Sequence, residues 1–88
     1  MPLSEHWNEM TLYFLHLHEC GTVTIDEDGM ELDGPEQAHA VAIRAAREMM
    51  CAELLEGRLC MSCYIDVSDA AGASCFKVQY RDAVDISG

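Results

Sequence analysis

The alternation of apolar and polar side chains predicts a hairpin near the start of the chain. Residues 11–18 are aromatic-rich and alternate from Tyr13 onward, which is typical of a strand with one buried face. One face of this strand carries Tyr13, Leu15 and Leu17, and the other carries Phe14, His16 and His18. Residues 19–21 form a turn, and the β-branched run 22–25 can pair back on the first strand. Residues 26–34 are mostly turn-forming, so we expect an acidic connector there.

A period of 3.6 residues predicts one long helix after this connector. Pro35 suits the first helical position and Gly57 suits the position after the last, so we expect the helix to span residues 35–56. The expected core face is an apolar stripe that consists of Ala38, Val41, Ala42, Ala45, Met49 and Ala52.

A second apolar flank on the same helix consists of Ile43, Met50 and Leu54. It widens the apolar arc to about 200°, whereas covering one sheet needs only a little more than ~100°. We therefore expect something else to cover this flank. The two candidates are the N-terminal segment around Trp7 and a second copy of the chain.

Two further alternating runs predict a second hairpin after the helix. Residues 64–67 and 75–80 read as strands, and the turn-forming residues 68–72 lie between them. The element order is ββαββ, an α+β fold in which two antiparallel hairpins form one sheet packed on a single long helix. We expect a single domain over residues 11–88, preceded by an N-terminal extension over residues 1–10.

The charge of the chain is strongly acidic. Sixteen Asp and Glu against five Lys and Arg give a formal net charge of -11. This charge repels phosphate backbones and anionic lipids, so we expect neither nucleic acid nor membrane as a partner, and a basic protein would be attracted. The first ten residues lack the basic start and apolar run of a signal peptide, so we expect a cytoplasmic protein.

His16 and His18 are the first candidate metal ligands. They alternate on the first strand and therefore point to the same side, which is a workable arrangement for two ligands. Alternate side chains lie nearly ~7 Å apart, however, and two histidines on a strand face are more often partly exposed or paired across the sheet. Histidines that are partly exposed or paired across the sheet are therefore the favoured interpretation.

Cys60 and Cys63 have the spacing of half a zinc site or of a redox pair. The pair follows a helix C-terminus, where the helix dipole does not stabilise a thiolate. Zinc would need two more ligands, either His16 and His18 or residues of a symmetric partner. Small cysteines buried beside a strand are the favoured interpretation, so we expect no cofactor, with zinc as the alternative.

Several fragments of the chain, in this order and spacing, resemble a known family. They are residues 13–18, 26–32, 45–48, 57–59, 65–67 and 69–72. On these motifs the chain resembles the short bacterial proteins of the domain of unknown function 6894 family over about residues 11–84. The resemblance supports the α+β fold and implies no activity. Cys60 and Cys63 stand where that family more often has an acid and a glycine, so the pair is peculiar to this chain.

A second similarity is architectural only and is to HicB-type antitoxins. These are small acidic proteins in which a hairpin and an acidic turn precede a helix. It implies an antitoxin-like binder of a basic partner, although no motif carries over residue by residue.

These features favour a non-enzymatic protein-interaction module that self-associates as a homodimer. The predicted interface residues are Ile43, Met50, Leu54 and Trp7. No phosphate loop, nucleophile elbow or zinc-protease motif is found in the sequence, so we expect no enzyme. The alternatives are a metal-binding or redox protein that uses the strand His and Cys residues and the antitoxin-like binder. A small enzyme whose active site is assembled across a dimer is the weakest alternative.

Overall fold

A five-stranded antiparallel sheet packs against one long helix in residues 10–87, which are the residues that the computed structural model describes. The elements are β1 (Thr11–Glu19), β2 (Thr22–Thr24), β3 (Met30–Leu32), α1 (Pro35–Leu55), β4 (Tyr64–Asp69), β5 (Ser74–Gln79) and a short 3₁₀ helix (Tyr80–Asp82). The predicted α+β class is therefore confirmed. The predicted helix ends one residue late, and both hairpins form.

Strand β1 is the centre of the sheet. Its two ends pair with β2 and β3, and β4 pairs with it over residues 13–18. Strand β5 completes the order β2-β1-β4-β5. Because β1 and β4 are neighbours, the end of β1 lies beside the start of β4, with His18 opposite Tyr64.

Strand β3 corrects the prediction of a connector over residues 26–34. Met30–Leu32 pairs with the first three residues of β1, and Leu32 is buried in the core. The strand is too short and its surroundings too rich in turn-forming residues to be recognised from its own pattern. Pairing with β1, which is a long-range interaction, makes it a strand.

The two faces of β1 have the predicted composition. Tyr13 belongs to the buried core, and Leu15 and Leu17 pack against it. The alternate face carries Phe14 and the two histidines, away from the core. Phe14 and His16 stack there with ring centroids 6.3 Å apart.

The buried stripe of α1 differs from the predicted one. It consists of Ala38, Ala42, Ala46, Met50 and Glu53. Ala52, predicted to be in the core, is exposed, while Val41, Ala45 and Met49 are half-buried. Each four-residue step advances about 40° beyond a full turn, so the stripe winds along the helix and follows the twist of the sheet.

This winding changes the surplus flank that the sequence predicted. Met50 is 5 % exposed and packs in the core, so the uncovered flank is smaller than the sequence predicted. The role of Met50 at an interface stays a prediction. Ile43 is half-buried against the core, and Leu54 remains exposed. Trp7 lies outside the described residues.

None of the helices in residues 10–87 has the length and apolar character that crossing a membrane requires.

Candidate metal centre

Three cysteines from distant parts of the chain meet at one end of the sheet. The Sγ atoms of Cys20, Cys60 and Cys63 all lie within 4.8 Å of one another. The Cys20 and Cys60 sulfurs lie 3.1 Å apart. Within residues 10–87 this is the one group of three or more His, Cys, Asp or Glu side chains that could hold a metal ion. We call it the cysteine cluster.

The β1–β2 turn positions Cys20. The turn has two central residues, Cys20 with φ 44° and Gly21 with φ 85°, and positive φ at both is what a type I′ hairpin turn requires. Among the described residues, Cys20 is the one non-glycine with positive φ. A side chain in this conformation costs roughly 1–2 kcal/mol, and such costs are concentrated at functional sites.

The segment between α1 and β4 positions the other two cysteines. The helix ends at Leu55, and Gly57, whose φ is 84°, follows it and donates its N–H to the Leu54 carbonyl at 2.9 Å. The Cys60 N–H then donates to Oε1 of Glu53 at 3.0 Å. The Cys63 carbonyl accepts from the Tyr80 N–H at 2.9 Å, so α1 and the 3₁₀ helix both hold this segment.

The three thiols share one negative charge unequally. Hydrogen bonds from Cys63, Ser62 and Cys20 lower the pKa of Cys60 to about 6. Burial, followed by the hydrogen bond to Cys60, raises the pKa of Cys63 to about 12. The hydrogen bond to Cys60 also raises the pKa of Cys20. At neutral pH the cluster therefore holds a thiolate on Cys60, stabilised by neutral donors around it.

Two carboxyl groups and a buried phenol lie beside the sulfurs. Glu53 is 8 % exposed, and the Tyr80 hydroxyl donates to Oε2 of Glu19 at 3.1 Å. Burial and a hydrogen bond with Glu53 raise the pKa of Glu19. Burial also raises the pKa of Tyr80, which keeps its hydroxyl a donor. This acidic surrounding favours a cation at the sulfurs.

A cleft of about 720 Å³ opens in front of the cysteine cluster. Its lining consists of Glu19, Cys20, Thr22, Glu53, Arg58, Leu59, Cys60, Met61 and Ser62. Cys63 is 1 % exposed and is not part of that lining. The cluster therefore presents two sulfurs to the cleft and keeps the third behind them.

The spacing of the sulfurs fits a tetrahedral ion. Zinc binds thiolates at ~2.3 Å, which sets its sulfur ligands about 3.8 Å apart. All three separations are within 4.8 Å, and the 3.1 Å pair would open by about 0.7 Å to take an ion. Of this pair, Cys20 lies in a hairpin turn and Cys60 lies in a non-helical segment. Three protein ligands leave the fourth position open.

The predicted ligands separate into two groups in the structure. Cys60 and Cys63 come together as their spacing suggests, whereas neither histidine belongs to the cysteine cluster. Nδ1 of His16 accepts from the Asp26 N–H at 3.1 Å, and Nε2 lies 3.0 Å from the Ser68 hydroxyl. His18 stacks on Tyr64, with ring centroids 4.4 Å apart. Metal binding by the two histidines stays a prediction, and this packing does not favour it.

Sequence reasoning missed Cys20 as the third member of the cluster. Its local signal is a Cys-Gly dipeptide between two strands, where Asn-Gly or Asp-Gly is the usual turn sequence. Its distance to Cys60 and Cys63 follows from the pairing of β1 with β4, which no local pattern reveals.

A family model described as a domain of unknown function (DUF6894) matches residues 12–81. The chain belongs to the DUF6894 family. The match runs from β1 into the 3₁₀ helix, so the DUF6894 domain includes every element that builds the cysteine cluster. No curated protein and no solved structure matches the chain, and the similarity to HicB-type antitoxins is not supported.

Proposed function

We propose that this protein binds a thiophilic metal ion, with zinc as the preferred ion, through Cys20, Cys60 and Cys63. The observation that carries the proposal is the convergence of three sulfurs within 4.8 Å from two segments forty residues apart in sequence. Thiolate ligands select zinc, copper(I) and iron–sulfur centres over magnesium and calcium. The tetrahedral preference of zinc suits this spacing.

The charge around the cluster supports a cation. Cys60 already has a lowered pKa, and a metal ion would displace the protons of the other two thiols. Glu53 anchors the Cys60 backbone and thus acts as an outer partner that orients a ligand. With a chain charge of -11, the long-range field also favours approach of a cation.

A metal ion at this site would also stabilise the fold. An ion on these residues would connect the β1–β2 turn to the segment that follows α1. A domain of 88 residues has a small core with only about 5 kcal/mol of margin, and metal binding is one of the ways in which such domains gain stability.

Zinc content and affinity of the untagged protein test this proposal. We expect one zinc ion per chain by elemental analysis. Cys20→Ser, Cys60→Ser and Cys63→Ser should each weaken zinc binding by about a hundredfold in competition with a chromophoric chelator. Cys51→Ser and Cys75→Ser are the matched controls, because both cysteines are exposed and lie outside the cluster. Zinc absent from the wild type, or lost equally in the controls, would contradict the proposal.

A second candidate function is self-association, and a different observation supports it. Leu54, Leu55 and Leu59 are exposed around the end of α1, and Leu55 is 90 % exposed. Adjacent exposed leucines of this kind are typical of an interaction surface, and a small core would gain from covering them. The predicted partner is a second copy of the chain, with Leu54 as the predicted interface residue that stays exposed.

Light scattering across a range of micromolar concentrations tests self-association. We expect a mass above that of the 9.8 kDa chain, and Leu55→Glu should return it to the monomer value. Ile25→Glu is the control, since Ile25 is also largely exposed but lies after β2. A monomer mass at every concentration would rule out the homodimer.

A further inference from the structure

We propose that the metal-free cysteine cluster reacts with low-molecular-weight disulfides and closes into a Cys20–Cys60 disulfide. The inference deepens the proposed function and rests on it, because the two sulfurs that form the disulfide are also two of the three proposed metal ligands. Metal binding and oxidation would then exclude each other at one site.

Exposure determines which sulfurs a reagent can reach. Cys20 is exposed and Cys60 is half-buried, and both line the cleft in front of the cluster. Cys63 is 1 % exposed and lies behind them. A small disulfide that enters the cleft therefore meets Cys20 and Cys60 first, although Cys60 and Cys63 have the familiar redox spacing in the sequence.

Hydrogen bonding assigns the attacking sulfur. The Cys20 thiol donates to the Cys60 sulfur at 3.1 Å, and the Ser62 hydroxyl lies 3.5 Å from the same sulfur. The Cys60 sulfur is the acceptor in the hydrogen bond with Cys20, whereas the Cys20 sulfur carries the donated proton, and a sulfur without its proton is the form that attacks a disulfide. Cys60 is thus the nucleophile, and Cys20 is its resolving neighbour.

The reaction takes place in two exchange steps. The Cys60 thiolate attacks one sulfur of the small disulfide, which forms a mixed disulfide and releases one small thiolate. Cys20 then loses its proton to that released thiolate and attacks the Cys60 sulfur, which expels the second small thiolate. The two protein sulfurs are oxidised by two electrons, and one small disulfide is reduced to one thiol, which carries the Cys20 proton, and one thiolate.

The geometry requires only a short movement. The two sulfurs must approach from 3.1 Å to the ~2.05 Å of a disulfide bond, a change of about 1 Å. Binding an ion requires the opposite movement, an opening to about 3.8 Å. The same pair of sulfurs therefore has two alternative arrangements, one for each state.

Peptide mapping of the metal-free full chain treated with oxidised glutathione tests the inference. Trypsin cuts after Arg44, Arg58 and Lys77, so Cys20 falls in residues 1–44, while Cys60, Cys63 and the exposed Cys75 fall in residues 59–77. The variant Cys75→Ser removes the third cysteine of that peptide and is used for the mapping. We expect these two peptides to be joined by a disulfide. A bond confined to residues 59–77, or mixed disulfides alone, would overturn the inference.

Two variants distinguish Cys60 from Cys63 within the joined peptide. Cys63→Ala should still form the cross-link, whereas Cys60→Ser should not. The reverse result would overturn the assignment of Cys60. Circular dichroism tests whether both variants are folded, and if Cys63→Ala is not, fragmentation of the joined wild-type peptide locates the bond.

Zinc separates this inference from the proposed function. If both hold, saturating zinc should slow formation of the cross-link by about tenfold or more. If the cross-link forms equally fast with and without zinc, the metal proposal fails and the exchange stands. If metal-free protein forms no such cross-link while zinc binds, the exchange fails and the metal proposal stands.

Discussion

Strand β1 and the turn after it contribute to two polar clusters that differ in how much of their bonding capacity is already used. The first, the histidine cluster, consists of His16, Asp26 and Ser68. Both ring nitrogens of its histidine have partners, and Asp26 accepts from three backbone N–H groups. The second is the cysteine cluster, in which the Cys20 thiol donates to the Cys60 sulfur and whose open side faces a cleft.

This difference shows why residue type alone does not identify a metal site. The two histidines were as plausible as ligands in the sequence as the cysteines, because both pairs have suitable spacing. In the fold, one imidazole holds the β2–β3 connection against β1. The sulfurs of the cysteine cluster, by contrast, contact one another and the nearby Ser62 hydroxyl. We therefore expect changes in the histidine cluster to affect stability and changes in the cysteine cluster to affect chemistry.

The largest expected loss of stability is for Asp26→Ala. The substitution removes the acceptor of the Leu15, Asp28 and Gly29 N–H groups, and it should lower the free energy of unfolding by about 2–4 kcal/mol. Urea unfolding of the metal-free protein measures this loss. Asp28→Ala, at an exposed neighbour, should change the stability by less than about 0.5 kcal/mol, and zinc binding should be unchanged in both variants.

The same carboxylate predicts a dependence of stability on pH. Burial alone would raise the pKa of Asp26, but the N–H donors of Gly29, Leu15 and Asp28 together lower it below 3.8. Its contribution is therefore complete above pH 3.8 and disappears as the pH falls through the lowered pKa. Asp26→Asn should show a smaller loss of stability below that pH than the wild type does. An equal loss of stability at low pH in Asp26→Asn and in the wild type would contradict this prediction.

The second-largest expected loss of stability is for Gly29→Ala, which we compare with Gly21→Ala. Both glycines have positive φ, but their surroundings differ. Gly29 and Gly21 have φ of 73° and 85°. A Cβ at Gly29 would lie 2.9 Å from a Phe14 ring atom and 3.1 Å from the Tyr13 carbonyl oxygen, whereas a Cβ at Gly21 would meet nothing within 4 Å. Gly29→Ala should therefore cost about 1–3 kcal/mol more than Gly21→Ala in urea unfolding. Equal costs would contradict the packed surroundings of the histidine cluster.

A smaller effect is expected for the hydrogen bond between His16 and Ser68. Because Nδ1 accepts from the Asp26 N–H, the proton lies on Nε2 and is donated to the Ser68 hydroxyl. A double-mutant cycle with His16→Phe and Ser68→Ala should give a coupling of about 1 kcal/mol. A coupling near zero would show that the bond contributes nothing. The zinc content should stay unchanged in His16→Phe.

The smallest change is a shift in the reactivity of Cys60. Alkylation of Cys60 in the metal-free protein should rise with pH around a midpoint near the pKa of about 6. Fragmentation of the peptide 59–77 in the mass spectrometer measures it, because this peptide also contains Cys63 and Cys75. The hydrogen bond from Cys63 is the largest cause of this lowered pKa, so Cys63→Ala should move the midpoint to higher pH. A midpoint that does not move would contradict the sharing of charge within the cluster.

The parts of the fold that depend on local pattern were predictable. Alternation identified the core face of β1, and Pro35 and Gly57 bounded α1 to within one residue. Strand β3 was not predictable, because three residues become a strand only by pairing with β1. The winding of the buried stripe on α1, which brings Met50 into the core, depends on the twist of the sheet beneath it.

The candidate site was predictable in part for the same reason. The spacing of Cys60 and Cys63 is visible in the sequence, and so is the unusual Cys-Gly turn at Cys20. Their meeting depends on β1 lying beside β4, which a sequence without strand order does not supply. The separate use of His16 likewise depends on Asp26 and Ser68, which approach it from elsewhere in the sheet.

Cobalt titration of the metal-free protein tests the central claim most directly. Cobalt(II) replaces zinc in tetrahedral thiolate sites and gives a thiolate-to-metal charge-transfer absorption that grows with the number of sulfur ligands. The account predicts a stoichiometric absorption of three thiolates in the wild type and in a His16→Phe, His18→Phe variant, and its reduction in Cys20→Ser. Absorption that persists in Cys20→Ser and disappears in the histidine variant would contradict it.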